Sequence, residues 1–436
     1  MKYTGIIILT IIIVIALLLG LFSGFFGQNL NFGLINKKPI VTIIYPSDGT
    51  TVSKLVMISG TASDSDKGDN ITSVEVKIGE NDWDIATGTT LWSYDWSAFS
   101  AQNGIYTICA RSFDGKEYSA IQSISVTVKN PTSVKSDSHK WAIFIAAANF
   151  PKDNDTKLGN GGLYLAENIA GYLIEHNQFS ASNIIILFDD GWIRSENGYG
   201  TKQKTLQERA HTYDITYGGA IKANVLVSLN YLITESNKYP DSEVFLWIFS
   251  HGVGNQDQSL TGGKLFQTSE VFLWDDTITD MELGDVLAPL ESEKTTVIID
   301  ACYAGGFADR TIFNFRTSLF LRSGVPQNGR IIISATSKFR TGYASTTQGP
   351  IFSLLWFEGL SSGDADGYKP GLFDRGVPRN LKFYQDGVVS VEEAFYYARY
   401  QLRTNERYQD FRSMQPQIND EYPHRGFLRS SGELVL

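Results

Sequence analysis

The stretch VFLWIFSHG, residues Val244–Gly252, decides the fold. It is apolar and rich in aromatic and branched side chains, and it stops at small or polar residues. A second run, TVIIDAC (Thr296–Cys302), ends in the same way. Short apolar runs of this kind are typical of strands buried on both faces of a parallel sheet. The sequence therefore predicts an α/β domain built around these two strands.

Reactive side chains directly follow both predicted strands. His251 ends the first run and Cys302 ends the second, and in open α/β sheets such groups gather beyond the carboxyl ends of the strands. A thiolate can attack a peptide carbonyl, while an imidazole takes the thiol proton and returns it to the leaving amine. We therefore expect Cys302 as nucleophile and His251 as general base and acid, with the Gly252 N–H donating to the oxyanion.

A simpler interpretation exists for each residue taken alone. A lone cysteine at a strand end is often a small buried hydrophobe, and a lone His-Gly pair is often part of a turn. Both residues here follow strands, and the order is histidine first and cysteine about fifty residues later, which leaves room for a crossover helix. The combination favours catalysis.

The blocks FSHG (Phe249–Gly252) and IDAC (Ile299–Cys302) resemble those of the caspase-like cysteine peptidases, and the legumain family looks closest. The second block is also similar to metacaspases. Further similar segments lie between Trp141 and about Glu358: Trp141–Asn149, Ala166–Asp190 and Asp214–Leu229. The resemblance implies a cysteine-type endopeptidase that cleaves proteins or peptides and requires no cofactor.

The secondary structure of this region is predicted to alternate between strands and helices. The predicted strands are Ile143–Ala147, Ile184–Phe188, Val244–Phe249, Val297–Ile299 and Arg330–Ser334. The predicted helices are Leu163–His176, Ala223–Glu235, Met281–Leu290 and Phe352–Gly359. Such alternation implies a mostly parallel sheet with helices on both faces, which is also the caspase-like arrangement.

Two further residues join the predicted site. Asn149 ends the first strand, legumain carries an asparagine there by resemblance, and an amide can orient the imidazole. The alternative is an asparagine that ends a strand in a turn. Asp300 lies two residues before Cys302, so the two side chains share one face of the sheet. We expect Asp300 to line the pocket for the residue before the scissile bond.

The carboxylate of Asp300 predicts which substrate residue is preferred before the scissile bond. It would pair with Arg or Lys, or with Asn through its amide, and would exclude an acidic side chain. By resemblance, metacaspases carry Asp and legumain Glu at this position. Leu163 and Tyr164 occupy the places of the Arg-His pair that legumain uses for asparagine, so strict asparagine specificity is not expected. The alternative is that Asp300 only braces the loop through backbone N–H groups.

The N-terminal part of the chain has a different pattern of residues. Gly5–Phe26 is almost wholly apolar and long enough for one transmembrane helix; the alternative is a cleaved signal peptide. Residues 39–129 read as an all-β immunoglobulin-like sandwich with strands at Ile40–Ile44, Val56–Gly60, Val74–Ile78, Tyr106–Ala110 and Ile121–Val128. The predicted organisation is an anchor at 1–27, linkers at 28–38 and 130–138, the sandwich, and the peptidase domain at 139–436.

The predicted sandwich leads to two expectations, one about the location of the protein and one about Cys109. It resembles bacterial immunoglobulin-like surface domains at Pro46–Gly49, Gly60–Ser63 and Tyr106–Gly115, which favours a single-pass membrane protein with both domains extracytoplasmic. Cys109 is expected to face the sandwich core and to take no part in catalysis.

A calcium site is a weaker prediction. Asp386–Phe395 resembles the second half of an EF-hand loop that ends at Glu393, and Asp364 and Asp366 could supply the missing acids across an insertion. The alternative is a helix capped by Ser390, which stands three residues before Glu393.

The amino-acid composition limits which partners and functions remain possible. The 436 residues contain 37 basic and 47 acidic side chains, a net charge of −10, and no basic cluster, which argues against nucleic acid as a partner. The five histidines lack the spacing of metal ligands. Two other functions stay open: a transpeptidase or transamidase that uses the same acyl-enzyme chemistry, and a non-catalytic surface adhesion protein.

Overall fold

The computed structural model describes residues 36–66, 70–130, 138–150, 157–195, 198, 200–254, 268–308, 324–371, 376–423 and 432–436. The expected membrane span, Gly5–Phe26, lies outside these ranges. Within them, no helix is both long enough and apolar enough to cross a bilayer.

The first domain is a β-sandwich, as the sequence predicts. Its strands are β1 (Ile40–Tyr45), β2 (Thr51–Val52), β3 (Leu55–Ser63), β4 (Ser73–Ile78), β5 (Asp84–Ile85), β6 (Thr87–Gly88), β7 (Leu91–Ser97), β8 (Gly104–Phe113) and β9 (Gln122–Val128). One sheet has the order β1-β3-β7-β6 and the other β2-β9-β8-β4-β5. Alternate residues of both sheets point inward and pack around the buried ring of Trp92.

The expected orientation of Cys109 is wrong. Side chains alternate along β8, and Ile108 and Ala110 are the buried residues that face the core. Cys109 lies between them and therefore points to the opposite, partly exposed face of the sheet.

The second domain contains the remaining strands and all described α-helices. The strands are β10 (Lys140–Ala147), β11 (Ile184–Phe188), β12 (Trp192–Arg194), β13 (Lys202–Thr205), β14 (Thr216–Gly218), β15 (Glu243–Ser250), β16 (Gly252–Gly254), β17 (Ser269–Phe272), β18 (Thr277–Thr279), β19 (Lys294–Asp300), β20 (Arg330–Ser334), β21 (Ala344–Ser345), β22 (Gly349–Pro350), β23 (Tyr368–Lys369), β24 (Arg379–Asn380) and β25 (Gln417–Asp420). The helices are α1 (Gly161–His176), α2 (Lys222–Ser236), α3 (Asp280–Leu287), α4 (Gly305–Ala308), α5 (Ile351–Ser362) and α6 (Val391–Thr404).

The central sheet has seven strands in the order β14-β11-β10-β15-β19-β20-β25. Neighbouring strands from β14 to β20 pair in parallel, and β25 pairs antiparallel with β20. All five strands predicted for this domain are present in the sheet. The short edge strands β14 and β25 were not predicted, because neither contains an extended apolar run.

Helices cover both faces of this sheet, as predicted. On one face, α1, α5 and α6 pack against side chains such as Phe144 and Phe245. On the other face, α2 and α3 pack against Ile143, Ile145 and their neighbours. The sheet therefore buries both faces, and His251 and Cys302 lie partly exposed at its carboxyl edge.

The sandwich packs directly against the second domain. A methyl group placed on Gly218 would lie 2.2 Å from Leu55 Cδ2, and one on Gly191 would lie 2.5 Å from the Met57 sulfur. These two glycines leave room for side chains of the sandwich. Behind them, the Lys54 ammonium donates to a backbone carbonyl at Ser182, and Lys54 is almost completely buried. The two domains thus form a closely packed interface.

Candidate active site

The register of the sheet brings His251 and Cys302 to adjacent strand ends. β15 and β19 are neighbours, and Phe249 is aligned with Asp300. His251 and Cys302 each lie two residues beyond this aligned pair. A methyl group on Gly252 would lie 2.2 Å from the Cys302 carbonyl oxygen. The His-Gly segment is therefore in direct contact with the backbone of Cys302.

The Cys302 thiol lies among backbone N–H groups. The Gly342 N–H donates to Sγ at 3.2 Å, and the side chain is partly exposed. Burial raises the pKa of the Cys302 thiol, although N–H groups of Gly342 and Gly252 favour the thiolate. Gly342 is part of the site that sequence reasoning missed, because its only signal is a glycine in the loop after β20.

His251 is held between its own strand and aromatic residues. Its carbonyl accepts the Phe272 N–H at 3.0 Å, and its ring centroid lies 6.0 Å from that of Phe150. The sequence does not predict that either aromatic residue belongs to the site, because an aromatic side chain at a strand end usually indicates the hydrophobic core. The imidazole thus has Phe150 as an aromatic neighbour.

Asp300 is buried beside the cysteine strand. Its side chain is 2% exposed, and Oδ2 accepts the backbone N–H of Ser353 at 2.9 Å and its hydroxyl at 2.8 Å. The Ser353 hydroxyl also accepts Trp247 Nε1–H at 3.0 Å, which fixes it in place. Burial raises the pKa of Asp300 to about 7, although the bonds from Ser353 oppose this effect. The backbone bond agrees with the bracing alternative; the role in substrate binding stays a prediction.

Asn149 has different partners from those expected. Its Nδ2 donates to Asp189 Oδ2 at 2.7 Å, and its backbone N–H donates to Asp189 Oδ1 at 3.2 Å. The carboxylate of Asp189 at the end of β11 thus takes the amide that was expected to orient the imidazole. Asn149 joins two strand ends in this structure, and Phe150 is the neighbour of His251.

Sequence reasoning also missed an ionic cluster at the same edge of the sheet. The Arg194 guanidinium donates to both carboxylate oxygens of Asp190 at 3.0 Å and lies 3.5 Å from Asp189. Burial raises the pKa of Asp189 to about 7, although Arg194 and Asn149 oppose the shift. The pairing depends on a turn after β11 that brings Arg194 back over the two carboxylates, which spacing alone does not reveal.

Three acids of the suggested calcium site, Asp366, Asp386 and Glu393, accept hydrogen bonds from backbone N–H groups. Asp366 accepts the N–H groups of Asp386 and Gly387 at 3.1 and 3.0 Å. Glu393 and Ser390 form the reciprocal bonds of a capping box at the start of α6, which confirms the alternative interpretation. Among the described side chains, no three His, Cys, Asp or Glu residues are grouped to hold a metal ion. Calcium binding through Asp364, Asp366, Asp386 and Glu393 stays a prediction.

Comparison with known proteins gives its most direct support to the predicted fold of the first domain. Residues 39–110 match the family described as Bacterial Ig domain, which confirms the immunoglobulin-like assignment. A search of curated proteins finds no match to the chain.

Solved structures give partial similarities to the chain. Caspase-1 from Spodoptera frugiperda is 13% identical, and the match covers 64% of this chain and 86% of that chain with a TM-score of 0.33. The endo-β-1,4-mannanase from Thermotoga petrophila is 17% identical over 23% of this chain, with a TM-score of 0.19. The match spans only 22% of the mannanase chain. TM-scores this low leave the chemistry to be argued from the residues themselves.

Proposed function

We propose that the chain is a cysteine endopeptidase in which Cys302 and His251 act as a catalytic pair. One observation carries the proposal: the strands that end in His251 and Cys302 are adjacent and in register, and backbone N–H groups of Gly252 and Gly342 surround the sulfur. A nucleophile, a base and two fixed donors at one edge of the sheet are the parts that acyl transfer needs.

The thiol is protonated at rest, because burial raises its pKa. His251 takes the proton as sulfur attacks the carbonyl carbon, and the Gly252 N–H donates to the oxygen that becomes negative. The carbon–nitrogen bond then breaks, and the imidazolium gives its proton to the leaving amine. Water, activated by the same imidazole, hydrolyses the thioester and restores the thiol.

The proposed preference is for Arg or Lys before the scissile bond, with Asn second and acidic residues excluded. Asp300 supports it, because this carboxylate is buried and, in the described part of the chain, only Ser353 bonds to it. A buried carboxylate without a cation is unfavourable by itself, and a basic side chain of the substrate would supply the missing charge. An acidic side chain would add a second negative charge at the same place.

The proposed location is the extracytoplasmic face of a membrane, with both domains tethered through Gly5–Phe26. The apolar sequence of this segment and the match of residues 39–110 to a bacterial immunoglobulin-like domain support it. Protease treatment of intact cells should release both domains together, and protection of both domains would contradict this orientation.

The decisive test of activity uses the two cysteines as a matched pair. An electrophilic peptide probe should label the wild-type chain at Cys302, and a protein substrate should be cleaved. The Cys302→Ala variant should lose both properties, whereas Cys109→Ala should keep them, because Cys109 lies on the outer face of the sandwich. Cleavage by folded Cys302→Ala would reject the proposal. Products that carry an added amine would indicate transfer to an amine instead of hydrolysis.

A further inference from the structure

Three aromatic side chains gather on the side of His251 that is remote from Cys302. β15 lies between β10 and β19 in the sheet, so Phe150, three residues beyond β10, approaches the imidazole from the side opposite the cysteine strand. Phe150 stacks on Trp274 with ring centroids 5.7 Å apart and an angle of 14° between the rings. Phe272 meets Phe150 edge to face at 6.1 Å. All three side chains are partly exposed.

Contacts from behind hold this aromatic cluster in place. The Arg194 guanidinium lies 4.7 Å from the centroid of Trp274, and Asp190 binds that guanidinium through both oxygens. The backbone N–H of Trp274 donates to the Ala220 carbonyl at 2.9 Å. A cation over an indole face stabilises the ring position. The exposed edges of the cluster are therefore part of a preformed surface.

The chemistry of the first step indicates what this surface meets. When the scissile bond breaks, the acyl part of the substrate stays on Cys302, and the amine receives its proton from His251. The amine must therefore lie within hydrogen-bond reach of the imidazole. The substrate chain that begins with this amine continues on the imidazole side, where Phe150 is the ring next to His251.

We propose that Phe150, Phe272 and Trp274 form the subsite for the residue that follows the scissile bond, and that this residue is aromatic or bulky and apolar. The inference rests on the proposed peptidase function and adds the second half of its specificity. Aromatic side chains bind such surfaces by offset or edge-to-face contacts and by burial of apolar area. The Arg194 guanidinium is paired with Asp190 and lies 3.5 Å from Asp189, so it is already engaged and does not attract an acidic residue to the cluster.

The test compares cleavage sites in a mixed peptide library, read by mass spectrometry on both sides of each cut. The wild-type full-length chain should select aromatic and bulky apolar residues after the cut. Trp274→Ala should lose this selection, and the conservative Trp274→Phe should keep it. Phe383→Ala is the matched control, because Phe383 is 90% exposed and belongs to a different part of the domain.

Matched peptides give the size of the effect. For two peptides that differ only in Phe or Ala after the scissile bond, kcat/KM should differ by about tenfold in the wild type and should become nearly equal in Trp274→Ala. The rate of Cys302 alkylation by iodoacetamide should be the same in both proteins, because iodoacetamide has no group that reaches the cluster. This comparison separates a lost subsite from a misfolded site.

Each outcome has one meaning. Cleavage that depends on Cys302 but shows no preference after the cut would overturn the subsite and leave the peptidase function intact. Retention of the preference by Trp274→Ala would do the same. Failure of the wild type to cleave any peptide through Cys302 would overturn the peptidase function and the subsite together.

Discussion

The buried carboxylate of Asp300 is the residue with the most unusual energetics in the site. Its pKa is raised to about 7 by burial, and Ser353 supplies the bonds that retain it. Between about pH 4 and pH 7, the folded chain binds a proton at Asp300 that the unfolded chain has released. This group therefore contributes less to stability as pH rises through that window.

Asp300→Asn should stabilise the chain at high pH. An amide oxygen can accept the same bonds from Ser353 and carries no charge, so the gain should be on the order of 4 kcal/mol at pH 8 and close to zero at pH 4. Chemical denaturation of both proteins across this range measures the difference. A difference that does not change with pH would contradict the raised pKa, and an unchanged preference for basic residues would refute the pocket role.

The Cys302 thiol should behave as a protonated group at neutral pH. Because its pKa is raised, alkylation by iodoacetamide should be slow at pH 7 and should reach its plateau at a higher pH than alkylation of a small free thiol, whose pKa is about 8.5. Peptide mapping separates the signals of Cys302 and Cys109. A plateau below pH 7 would instead indicate a resting thiolate–imidazolium pair.

At the scale of elements, the site depends on how closely the ends of β15 and β19 approach. Gly252 has no side chain, and its backbone passes so near Cys302 that a methyl group would overlap the carbonyl oxygen. The glycine is needed here for close approach, and the contact places its N–H beside the sulfur. The distance between these two segments therefore controls catalysis.

Gly252→Ala should reduce kcat by at least about 100-fold, because the added methyl group displaces an oxyanion donor. The melting temperature should fall by only a few degrees, since the change lies at the rim of the sheet. Gly104→Ala is a suitable control, because a methyl group there would meet no atom within 4 Å. Normal turnover by Gly252→Ala would contradict this role of the glycine.

The sequence predicts the strands that carry this site better than the hydrogen-bond partners of its side chains. The runs that became β15 and β19 are long and apolar, so the positions of His251 and Cys302 at one sheet edge follow from strand periodicity and parallel topology. The partners of Asn149 and Asp300 do not follow, because they come from turns and from α5, which is distant along the chain. Cys109 lies on the face opposite to the one expected, because its neighbours Ile108 and Ala110 occupy the core positions of β8.

At the scale of the whole molecule, the sandwich is fitted to the second domain. Leu55 is 5% exposed and belongs to the apolar core beneath α2. The Trp192 indole N–H donates to Ser93 Oγ at 3.1 Å, and β12, which begins at Trp192, ends at Arg194 behind the aromatic cluster. The sandwich thus contacts the segment that supports one side of the site.

Leu55→Ala should weaken the coupling between the two domains. Loss of this buried side chain should cost about 2–3 kcal/mol. Calorimetry should resolve two unfolding transitions in the variant where the wild type has one. Leu91→Ala, at a 39% exposed position of the same sandwich, should leave the single transition unchanged. A single, unshifted transition in Leu55→Ala would contradict the energetic importance of the domain contact.

The most direct test of the central claim is to trap the acyl-enzyme. The full-length chain is mixed with a peptide substrate, quenched in acid within one turnover, digested, and searched by mass spectrometry for a peptide thioester. We expect a thioester on Cys302 in the wild type, a strongly reduced amount in His251→Ala, and none in Cys302→Ala. Substrate turnover without a thioester on Cys302, or an acyl group on another residue, would contradict the role of Cys302 as the nucleophile.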